Sequence, residues 1–157
     1  MEDHAQDWAW LYGDWRVQHR RLRERLASST QWDEFAGTCT CWPTMSGLGN
    51  CDDNWLDLPA GAYRAMAARA FDTETQTWGI WWIDGRFPAA PIDPPVRGTF
   101  ENGVGTFISD GTHNERPILV RYRWTDIHTP HPHWEQAFSP DNGASWEVNW
   151  RMEFSRA

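Results

Sequence analysis

The sequence predicts an all-β protein, a closed antiparallel up-and-down barrel of about ten strands with a short N-terminal helix. Three observations predict it. From Asp14 onward, β-branched and aromatic residues alternate with polar ones at period two, the period at which strand side chains point to opposite faces. Gly, Pro, Asn and Asp cut this texture into hairpin-length pieces, at Pro59-Ala60-Gly61, Asp72-Thr73-Glu74-Thr75, Asn102-Gly103 and Pro140-Asp141-Asn142-Gly143. Such short links favour sequential antiparallel pairing over parallel crossovers, and that many strands bury their edges best by closing on themselves.

In chain order, Asp3 to Tyr12 places Trp8, Leu11 and Tyr12 at helical spacing and stops at Gly13, which predicts one short helix. Strands are expected over 14–26, 32–42, 51–58, 63–71, 77–84, 95–101, 104–109, 117–126, 133–139 and 146–154. The longest irregular stretches, Pro43 to Asn50 and Gly85 to Pro95, are expected over one mouth of the barrel, where loops control access. With no linker, low-complexity run or repeat, residues 1–157 read as one domain.

Composition narrows the function. Thirteen tryptophans in 157 residues bring large, flat apolar surfaces that suit a core, a pocket or a partner face. The net charge of −8 repels a phosphate backbone or an anionic membrane, so neither nucleic acid nor membrane is an expected partner. All fourteen basic residues are arginine, which excludes Schiff-base or general-base chemistry on lysine. The acidic start Met1-Glu2-Asp3-His4 lacks the pattern of a secretory signal, and no run is apolar enough to span a bilayer. Cys39, Cys41 and Cys51 read as small buried thiols, and the cytoplasm is the expected compartment. Phosphate-loop, dinucleotide and Gly-x-Ser-x-Gly motifs are absent, and no cofactor is expected.

Gly13-Asp14-Trp15, at the junction of helix and first strand, resembles the Gly-x-Trp signature of lipocalins and related calycin barrels. The resemblance implies that Trp15 plugs the closed end of a lipocalin-like barrel, with Arg151 late in the chain as the arginine packed across it. More of the chain resembles an uncharacterised family of bacterial calycin-like barrels. The stretches are Trp8 to Trp15, Gly47-Leu48-Gly49-Asn50 to Leu58, Phe71-Asp72 to Trp78-x-x-Trp81-Trp82-x-Asp84, and Trp134-Glu135-Gln136-Ala137-Phe138 to Phe154. That resemblance implies a fold and no activity. Ser139-x-Asp141-x-Gly143-x-Ser145-Trp146 resembles the Asp-box hairpin of sialidase propellers and is read as a structural turn.

Candidate binding residues follow from alternation. Trp78, Ile80, Trp82 and Asp84 share one face of their strand while Trp81 and Ile83 share the other, so an outer cover is expected from the N-terminal helix or a second subunit, a homodimer. On the first strand Trp15, Val17, His19, Arg21 and Arg23 share a side. His19 and Arg21 become a candidate polar anchor, with Glu135, Glu147 or Asn149 opposite; the alternative is an internal ion-pair network or simple exposure. On the last strand Trp146, Val148, Trp150, Met152 and Phe154 oppose Glu147, Asn149, Arg151 and Glu153, and the sequence leaves open which set lines the cavity.

Candidate general acids or bases are Asp84, Glu135, Glu147 and His19. His128, His131 and His133 have the look of a metal clip but lie in a proline-bounded loop without a fixed third ligand type, so no metal is expected. The expected function is binding of a small, partly aromatic or hydrophobic molecule. The alternatives are a cofactor-free lyase, isomerase or cyclase and a protein-interaction module using Trp-rich sheet faces.

Overall fold

The structure, a computed structural model, describes residues 3–157; of the acidic start, Met1 and Glu2 lie outside the described residues. Ten antiparallel strands close into one barrel: β1 (Gly13–Leu22), β2 (Trp32–Thr44), β3 (Gly49–Leu58), β4 (Gly61–Asp72), β5 (Thr77–Asp84), β6 (Val96–Glu101), β7 (Val104–His113), β8 (Arg116–Thr125), β9 (His133–Ser139) and β10 (Glu147–Arg156). Every strand pairs with its sequence neighbours, and β10 returns to pair with β1, Arg156 opposite Trp15 and Trp150 opposite Arg21. This is the lipocalin-like up-and-down barrel that the alternation and short turns predict. No helix among the described residues is long and apolar enough to cross a membrane.

Two departures from the expected strands matter for the site. β1 ends at Leu22, and the chain then turns through a loop in which Leu26 and Ser28 both adopt φ of 56°. β10 carries a bulge between Val148 and Trp150, so the simple alternation read over 146–154 breaks at Asn149. Beyond the bulge Trp150, Met152 and Phe154 face inward, whereas Val148, opposite Ala137, and Trp146 fall on the outer side. Arg121 on the outer side of β8 sits 4.4 Å from the centroid of the Trp146 ring.

The short N-terminal helix is present as two 3₁₀ turns, His4–Gln6 and Ala9–Leu11, the first capped by the Asp3 carboxylate accepting the Ala5 N–H at 3.0 Å. It does not cover the outside of β5. It enters one end of the barrel, where the fully buried Trp8 meets Phe100 at 4.8 Å, Phe107 at 5.7 Å, and Trp78 and Trp124 each at 6.1 Å between ring centroids. Beside it Trp15, 3% exposed, donates its indole N–H to the Leu11 carbonyl at 2.7 Å and packs edge-on against Phe154.

The arginine across Trp15 is Arg156 rather than Arg151. Its guanidinium lies 3.7 Å from the ring centroid and donates to the carbonyls of Tyr12 at 2.6 Å and Trp10 at 3.0 Å. Parity explains the correction: Arg151 is an odd step from the inward Trp150, so it points out and reaches Glu135 at 3.1 Å.

The two long irregular stretches lie at opposite ends rather than over one mouth. Pro43 to Asn50 is the end of β2, the turn Met45–Gly47 and the start of β3, and it folds over the N-terminal segment; a Cβ at Gly47, whose φ is +91°, would meet Ala5 at 2.8 Å. Gly85 to Pro95 joins β5 to β6 at the other end, which Trp8 leaves open. The barrel is therefore packed at its N-terminal end and accessible at the end where β1 finishes.

Candidate functional site

Inside the open half, small residues face large ones. Trp82 of β5 stands on one wall, and Ser109 and Gly111 of β7 leave the facing wall bare. The space left is a cavity of ≈ 510 Å³, within the roughly 300–1,000 Å³ usual for small-molecule sites. Its walls are aromatic: Trp82, Tyr122, Trp134, Phe138 and Trp150 all border it, with Ile80, Val96, Ile118 and Val120 between them. Trp150 forms the floor, meeting Trp82 at 5.8 Å and Trp134 at 5.2 Å, both edge-on. These contacts fix the rings in the favoured perpendicular geometry, so the cavity is preshaped rather than a loose gap.

Polar groups converge on the mouth. Arg21 lies 4.6 Å from the Trp150 ring centroid and donates to the Tyr63 hydroxyl at 2.9 Å. Arg25, carried by the loop after β1, reaches the same cavity and stands 5.5 Å from the Phe138 ring centroid. Burial, and then repulsion by Arg21, pull the Arg25 pKa down to about 10, which leaves it a cation at neutral pH. Asp93 and Asp110 border the opening but are exposed, and Gln136 supplies an amide deeper in.

Beneath the floor, His19 is 2% exposed, stacked on Phe35 at 4.6 Å, and accepts the Trp150 indole N–H on Nδ1 at 3.0 Å. With Nδ1 an acceptor, the neutral ring carries its proton on Nε2. Burial, and secondarily Arg21, lower its pKa to about 3. Deeper still, Arg69 pairs with Asp52 at 2.6 Å and donates to Asn50 Oδ1 at 2.8 Å, while Asp52 also accepts the Ala67 N–H and an Asn54 amide proton. Burial, the largest influence, would alone lower the Arg69 pKa, but the opposing contributions together, led by Asp52, make the net shift upward. Burial also raises the thiol pKa of Cys39, and that of Cys41 to about 12, so both remain protonated, buried and unbridged.

Of the sequence-predicted site residues, Arg21 and Trp82 border the cavity. His19 sits one layer below it. Trp78 lies at the closed end, donating its indole N–H to Asp7 at 2.9 Å. Asp84 is bound by Arg86 at 2.7 Å; that hydrogen bonding holds its carboxyl below the usual range. Glu135 is on the outer side between Arg151 and Arg121. Glu147 accepts the Leu26 N–H at 2.7 Å and so pins the loop that carries Arg25. Asn149, in the bulge, accepts from Gln136 at 2.8 Å.

Among the described residues no three groups are placed to share a metal, and His133 stands between Asp126 and Glu153 at 3.1 and 3.2 Å. In the β9–β10 turn Asp141 accepts from Ser139 Oγ at 2.9 Å and from the Ser145 N–H at 2.8 Å, as an Asp-box turn does.

Arg25, Tyr122, Gln136 and Phe138 also border the cavity and are not among the sequence-predicted site residues. For the last three a signal existed: Tyr122 and Trp124 alternate on β8, as do Trp134, Gln136 and Phe138 on β9. Arg25 had none, because it reaches the cavity from a loop and not from strand parity.

No protein-family model matches the sequence, and no curated protein matches it. Among solved structures the chain is similar to an S-type phycobiliprotein lyase, CPES, from Guillardia theta, with a TM-score of 0.60 at 9% identity over 96% of this chain and 90% of that one. At that identity the likeness bears on fold alone: the same lipocalin-like barrel carries both sequences.

Proposed function

We propose that the protein binds a small, partly aromatic or hydrophobic organic molecule in the open half of the barrel. The observation that carries this reading is the preshaped cavity of ≈ 510 Å³ walled by five aromatic rings and closed from below by Trp150. An aromatic-walled cavity in a core otherwise packed by Trp8 and its neighbours gives up dispersion contacts that a ligand would restore. A barrel of the same fold in a phycobiliprotein lyase agrees with a small-molecule role. The acid–base alternative is weaker, because His19, Asp84, Glu135 and Glu147 are each engaged elsewhere and none borders the cavity.

On the same footing we read the chain as one of the bacterial calycin-like barrels and as a cytoplasmic protein with reduced thiols. The outward Trp81 and Ile83 make a homodimer through β5 part of the reading. The test is a titration of planar aromatic compounds followed by intrinsic fluorescence, since Trp82, Trp134 and Trp150 all report on the cavity. The reading expects saturable quenching and a melting temperature that rises with ligand concentration. Absence of both across the series would refute it.

A further inference from the structure

Resting on that reading of the cavity, we infer that its ligand is an organic anion, a planar aromatic or conjugated body bearing a carboxylate, sulfonate or phosphate held between Arg21 and Arg25. Two guanidinium groups border one half-buried cavity, and among the described residues no carboxylate lies within 4.0 Å of either. The nearby carboxylates act on them only from beyond ion-pair distance, Glu147 on Arg25 and Asp84 on Arg21. Asp84 forms its ion pair with Arg86, Glu147 accepts the Leu26 N–H, and Asp93 and Asp110 stand exposed at the rim.

Like charges brought together away from water repel, and the downward pull of Arg21 on Arg25 records this. Such an arrangement is unfavourable in the empty protein and becomes favourable when an anion bridges the pair. The backbone is built to keep it. Just after Arg25, Leu26 and Ser28 hold left-handed φ values and the Leu26 N–H is fixed to Glu147, so the chain folds back and keeps the arginine on the cavity.

Each guanidinium also has an aromatic support. Arg21 rests over Trp150 and Arg25 faces Phe138, which fixes the plane of the fork and leaves N–H edges for an acceptor. The same rings form the floor and wall against which the ligand body would lie. The class of ligand therefore combines one strong acceptor group beside the two guanidinium groups with a flat apolar body against the aromatic walls. This differs from the anchor expected from the sequence in one member: Arg25 takes the place of His19, whose ring is neutral, buried and occupied by Trp150.

A pair of probes that differ only by the anionic group tests the inference. Anilinonaphthalene sulfonate and its uncharged parent, N-phenylnaphthylamine, are titrated against the wild-type protein, Arg21→Met and Arg25→Met, with melting temperatures recorded for each. The expected result is that wild type binds the sulfonate about tenfold or more tightly than the parent, and that each variant removes about tenfold of sulfonate affinity, the worth of one charge-assisted hydrogen bond, while the parent is little affected. Sulfonate affinity in wild type should also fall with added salt, a readout that does not depend on the variants folding. Equal affinity for both probes, or equal loss of both in the variants, would overturn the anion inference and leave the cavity reading standing. Failure of wild type to bind either probe would overturn both.

Discussion

His19 shows how one side chain at the centre of the barrel serves the site without touching the ligand space. Its Nδ1 holds the indole of Trp150 in the orientation that makes the cavity floor, and its ring is stacked flat on Phe35. Protonation would destroy the acceptor and place a cation in the core near Arg21. The folded-state pKa of about 3 lies below the ordinary value of 6.5, so the unfolded chain binds the proton first as pH falls. The stability this residue contributes is thus complete above pH 6.5 and is lost as pH drops toward about 3, at up to roughly 1.4 kcal/mol per pH unit. His19→Gln, which can keep an acceptor for the indole, should flatten that part of the stability profile by about one proton's worth in urea unfolding series between pH 4 and 6.5. An unchanged slope would mean that another group is responsible.

At the scale of the element, the outcome turned on places where strand parity is interrupted. Alternation on β1 correctly puts Trp15, Val17, His19 and Arg21 on one side, and alternation on β5 puts Trp78, Ile80 and Trp82 on one side. On β10 the same rule fails at Asn149, where one extra residue reverses the phase, so that Trp146 leaves the core and Trp150 enters it. Nothing local in Glu147-Val148-Asn149-Trp150 announces a bulge, because all four residues are compatible with either phase. Parity also separates Arg151 from Arg156, so that the arginine beneath Trp15 lies five positions beyond the one the Gly-x-Trp resemblance implies.

The strand interior makes one further demand. A Cβ at Gly37 on β2 would run into the Trp55 carbonyl oxygen and approach His19 Nε2 at 2.8 Å. Gly37→Ala should therefore destabilise by about 1 to 3 kcal/mol through overpacking, measured as a shift in unfolding midpoint. A loss below about 0.5 kcal/mol, the size of an ordinary surface change, would show that β2 and β3 have more freedom than the register implies.

For the molecule as a whole, the barrel was legible and the site only partly so. Period-two texture and turn residues specify ten antiparallel strands, and their short links leave few alternatives to closure. They do not say where the chain's ends go. The N-terminal segment could have covered the outside of β5; instead Trp8 fills one end, and this single placement decides which half of the barrel is solid and which is hollow. The cavity then depends on volume rather than pattern: Ser109 and Gly111 are too small to fill the space between Trp82, Tyr122 and Trp150. Volume summed across ten strands is not readable from any one of them, and Arg25 arrives from a loop that parity does not describe.

The claim that the hollow half is a binding site is tested most directly by filling it. Ser109 borders the cavity from β7, and Ser109→Trp places an indole where the ligand would lie. The measurement is the titration of wild type and this variant with N-phenylnaphthylamine, the uncharged probe, alongside their melting temperatures. The expected result is saturable binding by wild type, and at least a tenfold loss, worth about 1.4 kcal/mol, in a variant that melts at or above the wild-type temperature. Undiminished binding by a folded Ser109→Trp protein, or no saturable binding by wild type, would contradict it.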